Sequence, residues 1–220
     1  MAFQSTRDRY TVREYLALER AACDRHEYLD GQVYAMAGES PNHGRICVNL
    51  TAGMSLQLRG SGCEVFTKDM KVRCESPRRH PHSSQDLYAY PDLVVVCGAM
   101  QFHDEMQDVL LNPTLLIEVL SPSTEAFDRG EKFYRYSAGL PTLTHYLLVA
   151  QDQSRLDHYH RDAGGSGSRP EQALWTLRMV AGLEERLEVA PLGWTVPLTD
   201  IYERVVFPPA AADGTAREAG

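Results

Sequence analysis

The chain has 220 residues, of which 43% are hydrophobic, and its formal net charge is −8. This length and composition predict one domain with a substantial core, and there is no apolar run of the roughly 18 residues that a membrane span requires. The acidic balance argues against a generic nucleic-acid binder, because phosphate contacts require lysine and arginine, although the local distribution of charge matters more than its sum. The N-terminus lacks the apolar segment of a secretion signal, which predicts a cytoplasmic protein.

The first elements of the chain are predicted to be a short helix and a hairpin. Thr11 and Glu14 fit a capping box, which opens a helix through Arg20. Residues 25–37 contain alternating apolar positions around an Asp-Gly pair at 30–31, a pattern typical of a β-hairpin with a two-residue turn.

A second helix and a further strand follow the hairpin. Ser40 and Pro41 provide an N-cap and a first helical residue. An apolar residue then recurs every fourth position, on one face of a helix that ends at Gly60: Ile46, Leu50, Met54, Leu58. Residues 63–73 alternate loosely and predict a strand, and residues 76–89 predict a polar loop.

Two apolar runs, each containing one carboxylate, are the most informative part of the chain. Asp92 stands near the start of the run 90–97, and Glu118 stands inside the run 115–120. Such runs are typical of strands buried on both faces, where an ionised acid is costly unless a cation neutralises it. Two adjacent strands with one acid each therefore predict a divalent-cation site, although either acid could simply cap a loop.

The C-terminal half is predicted to contain a helix, two strands and several shorter features. Asp128 and Glu131 fit another cap, which starts a helix that ends at Gly139. Residues 145–150 form a further apolar strand, and residues 156–160 pair with it or follow it. The remaining predictions are a Gly/Ser loop (163–170), a hairpin (174–180 with 183–189), a short helix (199–204) and a disordered tail (207–220).

The order of these elements predicts the fold class. Helices and strands interleave without a strict βαβα rhythm, which favours one mixed sheet of six to eight strands flanked by helices. The class is α/β, at the border with α+β, in a single domain over residues 1–206. The cysteines are odd in number and contain no C-x-x-C pair, so reduced, structural thiols are expected instead of a zinc site: Cys23, Cys47, Cys63, Cys74, Cys97.

Three further side chains could take part in chemistry at the two acids. Lys132 lies early in the helix after the glutamate strand and could reach back to it, although a solvated lysine is the alternative. Glu27 could add a third carboxylate or be a surface acid. His43, in the first turn of a helix, could bind phosphate, move a proton or ligate metal, or be merely exposed. A hard cation such as Mg²⁺ would also accept the backbone carbonyl of Val119.

Several collinear motifs resemble the Uma-type restriction endonuclease family, within the PD-(D/E)XK nuclease superfamily. The resemblance runs from about Tyr10 to Val206, and the motifs that carry it are Arg-His-Glu-Tyr-Leu-Asp-Gly (25–31), Ser-Pro-Asn-His (40–43), Tyr-Pro-Asp-Leu-Val-Val-Val (90–96), Ile-Glu-Val-Leu-Ser-Pro-Ser-Thr (117–124) and Asp-Arg-Gly-Glu-Lys (128–132). It implies a restriction-endonuclease-like core and Mg²⁺-dependent phosphodiester hydrolysis, with Mn²⁺ as a substitute.

The resemblance also implies roles for individual residues. Asp92 and Glu118 would ligate the metal, Glu27 would be the extra N-terminal acid of such nucleases, and His43 falls at the family's recurrent histidine. The superfamily lysine should stand two residues after the glutamate, where this chain has Leu120. Lys132, from the following helix, would take its place.

The resulting hypothesis is a Mg²⁺-dependent DNA endonuclease with DNA as its partner. Enzymes that cut both strands often act as dimers, so a homodimer is open to this chain. Because of Leu120, a catalytically degenerate module that binds nucleic acid or a protein partner is the alternative. A hydrolase of another phosphoester would share the same metal site.

Overall fold

In the computed structural model the described residues are 2–4, 9–36, 38–75, 86–162 and 173–209. Three predicted features lie wholly or mostly outside them: the polar loop, of which only residues 86–89 are described, the Gly/Ser loop 163–170, and the tail from residue 210 onward. Phe207, the first residue of the predicted tail, is described, and its ring packs against Tyr202 at a centroid distance of 5.3 Å.

The described residues form the following elements. The strands are β1 (Ala2–Gln4), β2 (His26–Leu29), β3 (Gln32–Ala35), β4 (Cys63–Thr67), β5 (Lys71–Cys74), β6 (Leu87–Ala89), β7 (Leu93–Cys97), β8 (Val109–Leu110), β9 (Leu115–Val119), β10 (His145–Val149), β11 (Arg155–Arg161), β12 (Trp175–Ala181), β13 (Arg186–Val189) and β14 (Trp194–Pro197). The helices are α1 (Val12–Ala21), α2 (Pro41–Gln57), α3 (Glu125–Phe127), α4 (Phe133–Gly139) and α5 (Leu198–Ile201).

The main sheet has the strand order β12-β11-β10-β9-β7-β4. Strands β9 and β10 are parallel, and the other neighbouring pairs are antiparallel, so the predicted mixed sheet is confirmed. Because side chains alternate across a strand, each central strand contributes to two apolar layers. Helix α2 packs on one face through the predicted face that includes Ile46 and Leu50, and α4 packs on the other through Tyr136.

A second sheet has the order β1-β3-β2-β6-β5-β8. The predicted hairpin is confirmed as β2 and β3, and both turn residues have positive φ, 52° at Asp30 and 94° at Gly31. An aspartate and a glycine tolerate this conformation, which suits the twist of a two-residue hairpin. Helix α1 begins with the predicted Thr11 capping box and packs on this sheet through Tyr15.

Three predictions about the strands are wrong. The predicted strand 63–73 divides at a turn into β4 and β5, which belong to different sheets. Residues 87–89 of the predicted loop form β6, which pairs with both β2 and β5. The predicted C-terminal hairpin does not form, because β12 pairs with β11, and β13 pairs with β14.

The cysteine prediction is wrong for two residues. Cys63 and Cys97 are directly opposite on the antiparallel strands β4 and β7 and form a disulfide. Local spacing gave no sign of this pair, because the two residues are 34 positions apart and meet only through strand pairing. Cys23, Cys47 and Cys74 are free thiols, as predicted. None of the helices in the described ranges is long and apolar enough to cross a membrane.

A buried histidine pair predicts a loss of stability in acid. His145 Nδ1 and His158 Nε2 are 3.0 Å apart on β10 and β11, and both residues are 5% exposed. Burial lowers the pKa of His145 to about 4 and that of His158 to about 3. Between pH 6.5 and these values the unfolded chain binds more protons than the folded one, so the free energy of unfolding falls as the pH falls.

The expected loss is about 2 kcal/mol per histidine on acidification from about pH 7 to about pH 5. Urea unfolding of the wild type and of the double variant His145→Gln/His158→Gln at both pH values measures it. The double variant is expected to show a smaller difference between the two pH values. An equal difference in both proteins would contradict the assignment.

Candidate metal centre

Antiparallel pairing brings the two strand carboxylates together. Leu93 of β7 pairs with Ile117 of β9, and one further step of this register sets Asp92 opposite Glu118. Directly opposite residues point to the same face of a sheet, with Cβ atoms about 5 Å apart. Both acids line one cavity of about 530 Å³, whose walls come from both sheets. The start of β7 and the end of β9 thus supply one carboxylate each.

Asp92 also fixes the end of the neighbouring strand. Its Oδ2 accepts a hydrogen bond of 2.7 Å from the backbone N–H of Val119. The N–H and C=O of one strand residue point to the same side, so the Val119 carbonyl also faces the β7 side, where Asp92 lies. This carbonyl is the backbone oxygen that the sequence suggested as a metal ligand.

Lys132 is buried among three carboxylates. Its ammonium lies 3.2 Å from Glu118 Oε1, 3.2 Å from Glu27 Oε1 and 3.3 Å from Asp128 Oδ1. The Lys132 side chain is 6% exposed, so the alternative of a solvated lysine is wrong. Lys132 therefore reaches back to the glutamate strand.

A π-helical turn gives Lys132 this position. The helix after β9 begins at Glu125, earlier than predicted, and residues Asp128–Lys132 form the π-helical turn between α3 and α4. The prediction that Asp128 is the helix N-cap is therefore wrong. Asp128 is a buried acid inside the helix and is 2% exposed. Its Oδ1 has no hydrogen bond in the described structure, and its charged contact is with Lys132.

Burial and mutual attraction act in opposite directions on the charged pair. Burial raises the pKa of Glu118 well above its ordinary value, and the charge of Lys132 opposes this rise. Burial lowers the pKa of Lys132, but the charges of Glu118, Glu27 and Asp128 outweigh it, and the pKa is raised. The lysine therefore stays charged, and the ionised form of Glu118 depends on nearby positive charge.

Glu27 reaches the site from the second sheet. It lies on β2, and besides its contact with Lys132 its Oε1 accepts the backbone N–H of Tyr90 at 3.2 Å. Its side chain is 17% exposed. Glu27 is thus not a surface acid, which the sequence alone allowed, because its side chain lines the cavity.

His43 lies on α2 next to Asp92. Ser40 caps the helix by accepting the His43 backbone N–H at 3.1 Å. The ring contacts Asp92 Oδ2 through Nε2 at 3.2 Å and Glu39 Oε2 through Nδ1 at 3.0 Å. Burial lowers the pKa of His43, but hydrogen bonds and charges from Asp92 and Glu39 outweigh it, so the pKa is raised.

Sequence reasoning missed three residues of this cavity. Asp128 had been interpreted as a cap, although its spacing of four from Lys132 is the helical spacing of an ion pair. Glu39 has the same spacing from His43, and Lys68 binds Glu39 from the turn after β4. The i,i+4 pattern was the available signal for the first two. Lys68 arrives through tertiary packing, which no local pattern indicates.

The charges of the cavity suit a divalent cation. Its lining contains two more carboxylates than lysine and arginine side chains: Glu27, Glu39, Asp92, Glu118 and Asp128 against Arg25, Lys68 and Lys132. Asp92 and Glu118 offer hard oxygen donors, and the Val119 carbonyl offers a third, which is the donor set that Mg²⁺ and Mn²⁺ prefer. The residues present therefore fit such an ion.

A comparison with protein families identifies the family of this chain. Residues 12–197 match the family model Uma2, described as "putative restriction endonuclease". The chain belongs to the Uma2 family. This membership confirms the family resemblance, and together with the fold it indicates nuclease function.

Two relatives of this Uma2 chain are uncharacterised proteins of Synechocystis. One is 34% identical over 194 residues, which covers 88% of this chain and 92% of the relative. The other is 34% identical over 151 residues, which covers 69% of this chain and 80% of the relative. A crystal structure of a putative nuclease belonging to DUF820 from Anabaena variabilis is similar in fold, with a TM-score of 0.66 at 16% identity, over 90% of this chain and 99% of that one.

Proposed function

We propose that this Uma2 protein is a metal-dependent endonuclease that hydrolyses DNA phosphodiester bonds. The observation that carries the proposal is the convergence of Asp92, Glu118 and Lys132 in one cavity that also has an excess of carboxylates. Asp92, Glu118 and the Val119 carbonyl would hold Mg²⁺, for which Mn²⁺ could substitute. The bound ion would supply a water of lowered pKa and stabilise charge on a phosphoryl oxygen.

The protein side chains have separate tasks in this proposal. Lys132 donates hydrogen bonds to a phosphate oxygen or to the attacking water, and Glu27 and Asp128 hold its ammonium beside Glu118. Val119 N–H and His43 orient the Asp92 carboxylate. Preorganised groups of this kind accelerate a reaction because they need not rearrange as charge develops.

Leu120 does not weaken the proposal. Its side chain is 4% exposed and belongs to the apolar layer that contains Tyr136 and Leu148. The ammonium that the superfamily draws from this strand position is supplied instead by Lys132, 3.2 Å from Glu118. The cation beside the glutamate is thus retained, with a different origin in the chain.

A plasmid assay tests the activity. Supercoiled DNA incubated with the protein and Mg²⁺ or Mn²⁺ is expected to become nicked or linear, and EDTA is expected to prevent this. DNA that stays supercoiled with either metal, in spite of measurable DNA binding, would indicate the non-catalytic module instead. A panel of other phosphoesters separates the nuclease from a hydrolase that shares the metal site.

Calorimetric titration tests the metal site without reference to activity. The wild type is expected to bind Mn²⁺, and Asp92→Asn is expected to weaken the binding by about tenfold or more, because an amide replaces a charged ligand. Asp24→Asn, at an exposed position, is the matched control and should bind as the wild type does. Equal binding by wild type and Asp92→Asn would reject Asp92 as a ligand.

A further inference from the structure

A second group of metal-binding side chains lies on the wall of the cavity, on the side of α2. His43 and Cys47 are four residues apart on one face of α2, and Glu39, four residues before His43, directly precedes the N-cap Ser40. One ligand atom from each lies within 4.8 Å of the others. The His43 Nδ1 atom is 3.0 Å from Glu39 Oε2 and 3.5 Å from Cys47 Sγ.

These distances are close to those of a tetrahedral zinc site. With Zn–N near 2.0 Å and Zn–S near 2.3 Å, tetrahedral nitrogen and sulfur ligands are about 3.5 Å apart, and nitrogen and oxygen ligands about 3.3 Å. The donor set is also distinct from that of the Asp92 and Glu118 site, since sulfur and nitrogen favour zinc, whereas carboxylate oxygens favour magnesium. The two sites would therefore select different ions.

The surroundings of His43 favour a ligand role. Its second nitrogen, Nε2, lies 3.2 Å from Asp92 Oδ2, which makes the carboxylate–histidine arrangement that fixes the ring of metal-bound histidines. Lys68 binds Glu39 through Oε1 and leaves Oε2 directed at the histidine. Nδ1 thus lies close to both Oε2 and the Cys47 sulfur.

We propose that Glu39, His43 and Cys47 bind Zn²⁺, with the fourth position open to water from the cavity. On binding, the Cys47 thiol and the His43 ring each release the proton that they carry at the ligand atom to solvent, and bonds form from Sγ, Nδ1 and Oε2 to the ion. The site does not depend on the proposed nuclease activity. Its ligands come from α2 and from the residue before the N-cap of α2, whereas the Asp92 and Glu118 site is built on two strands.

Cobalt substitution tests this proposal. Co²⁺ added to the full, metal-free chain without reductant is expected to give a thiolate-to-cobalt charge-transfer band and the strong visible bands of a tetrahedral ion, and Zn²⁺ is expected to remove them. Cys47→Ser should abolish the charge-transfer band. Glu39→Gln, at an exposed residue, should weaken Zn²⁺ binding by about tenfold or more.

Two controls separate this site from its alternatives. Cys23→Ser removes the exposed free thiol and should leave the cobalt spectrum unchanged. Glu118→Gln, which leaves the contact between Asp92 and His43 in place, should keep the charge-transfer band, so a failed nuclease assay would not affect this result. Absence of the band in the wild type, or a band that survives in Cys47→Ser, would overturn the proposal. Unchanged Zn²⁺ affinity in Glu39→Gln would also overturn it, even if Cys47→Ser failed to fold.

Discussion

Glu118→Gln is expected to lower the rate of metal-dependent DNA cleavage on the order of 10³-fold, while the fold survives. The amide has nearly the shape of the carboxylate but carries no charge. The proposed site therefore loses a charged ligand, and the ion loses the attraction of that charge. Survival of the fold is expected because Lys132 keeps contacts with Glu27 and Asp128. The initial rate of plasmid nicking at saturating Mg²⁺ measures the effect.

The matched control is Glu105→Gln, which changes an exposed glutamate in the loop before β8 in the same way. Its cleavage rate is expected to equal that of the wild type. Circular dichroism spectra and the midpoints of urea unfolding show whether each variant is folded. If folded Glu118→Gln cleaves DNA as fast as the control does, Glu118 is not a metal ligand for the reaction.

Lys132→Met is expected to lower the free energy of unfolding by about 3–5 kcal/mol near neutral pH. The lysine is the positive charge in contact with three acids, and methionine of similar length would remove that charge from beside them: Glu27, Glu118, Asp128. Cleavage should also be lost, because the ammonium beside Glu118 is gone. Urea unfolding followed by circular dichroism measures the change in stability.

The pH dependence of this variant gives a further check. Burial already raises the pKa of Glu118, and loss of the lysine charge raises it further. A carboxyl whose pKa is higher in the folded chain than in the unfolded one binds protons preferentially in the folded state, so stability increases as the pH falls. The deficit of Lys132→Met should therefore shrink in mild acid.

Lys68→Met is the control for the second prediction. Lys68 is a partly exposed lysine that pairs with Glu39, and its side chain is 30% exposed. Its replacement is expected to cost no more than about 1 kcal/mol. An equal loss of unfolding free energy in both variants would show that the buried contacts of Lys132 stabilise the fold no more than the contact of Lys68 does.

The sequence predicted those parts of the fold that depend on near neighbours. The Thr11 cap, the Asp30-Gly31 turn and the apolar face of α2 follow from residues within a few positions of each other, and each is present. Wrong predictions concerned partners distant in the chain. Nothing local indicates that β12 prefers β11 to β13, or that the chain after β4 crosses to a second sheet.

The candidate site shows the same division. Asp92 and Glu118 were evident because an acid in an apolar run is unusual, and β-pairing sets them opposite each other. For Glu27 and Lys132 the local pattern left a role at the site and a surface position both open, and the family resemblance favoured the site. Asp128 was misinterpreted because a capping pattern and an internal ion pair use the same residue types. Only the π-helical turn, which the sequence does not reveal, distinguishes them.

That turn limits how the chain can vary between β9 and α4. A π-helical turn accommodates one residue more than an α-helical turn between the same ends. Loss of one residue from Asp128–Lys132 would let this turn rewind as an α-helix while the segments on either side keep their orientation. A residue lost between Asp128 and Lys132 would reduce the spacing of four on which their buried contact depends, so the length of this segment is constrained through its charges.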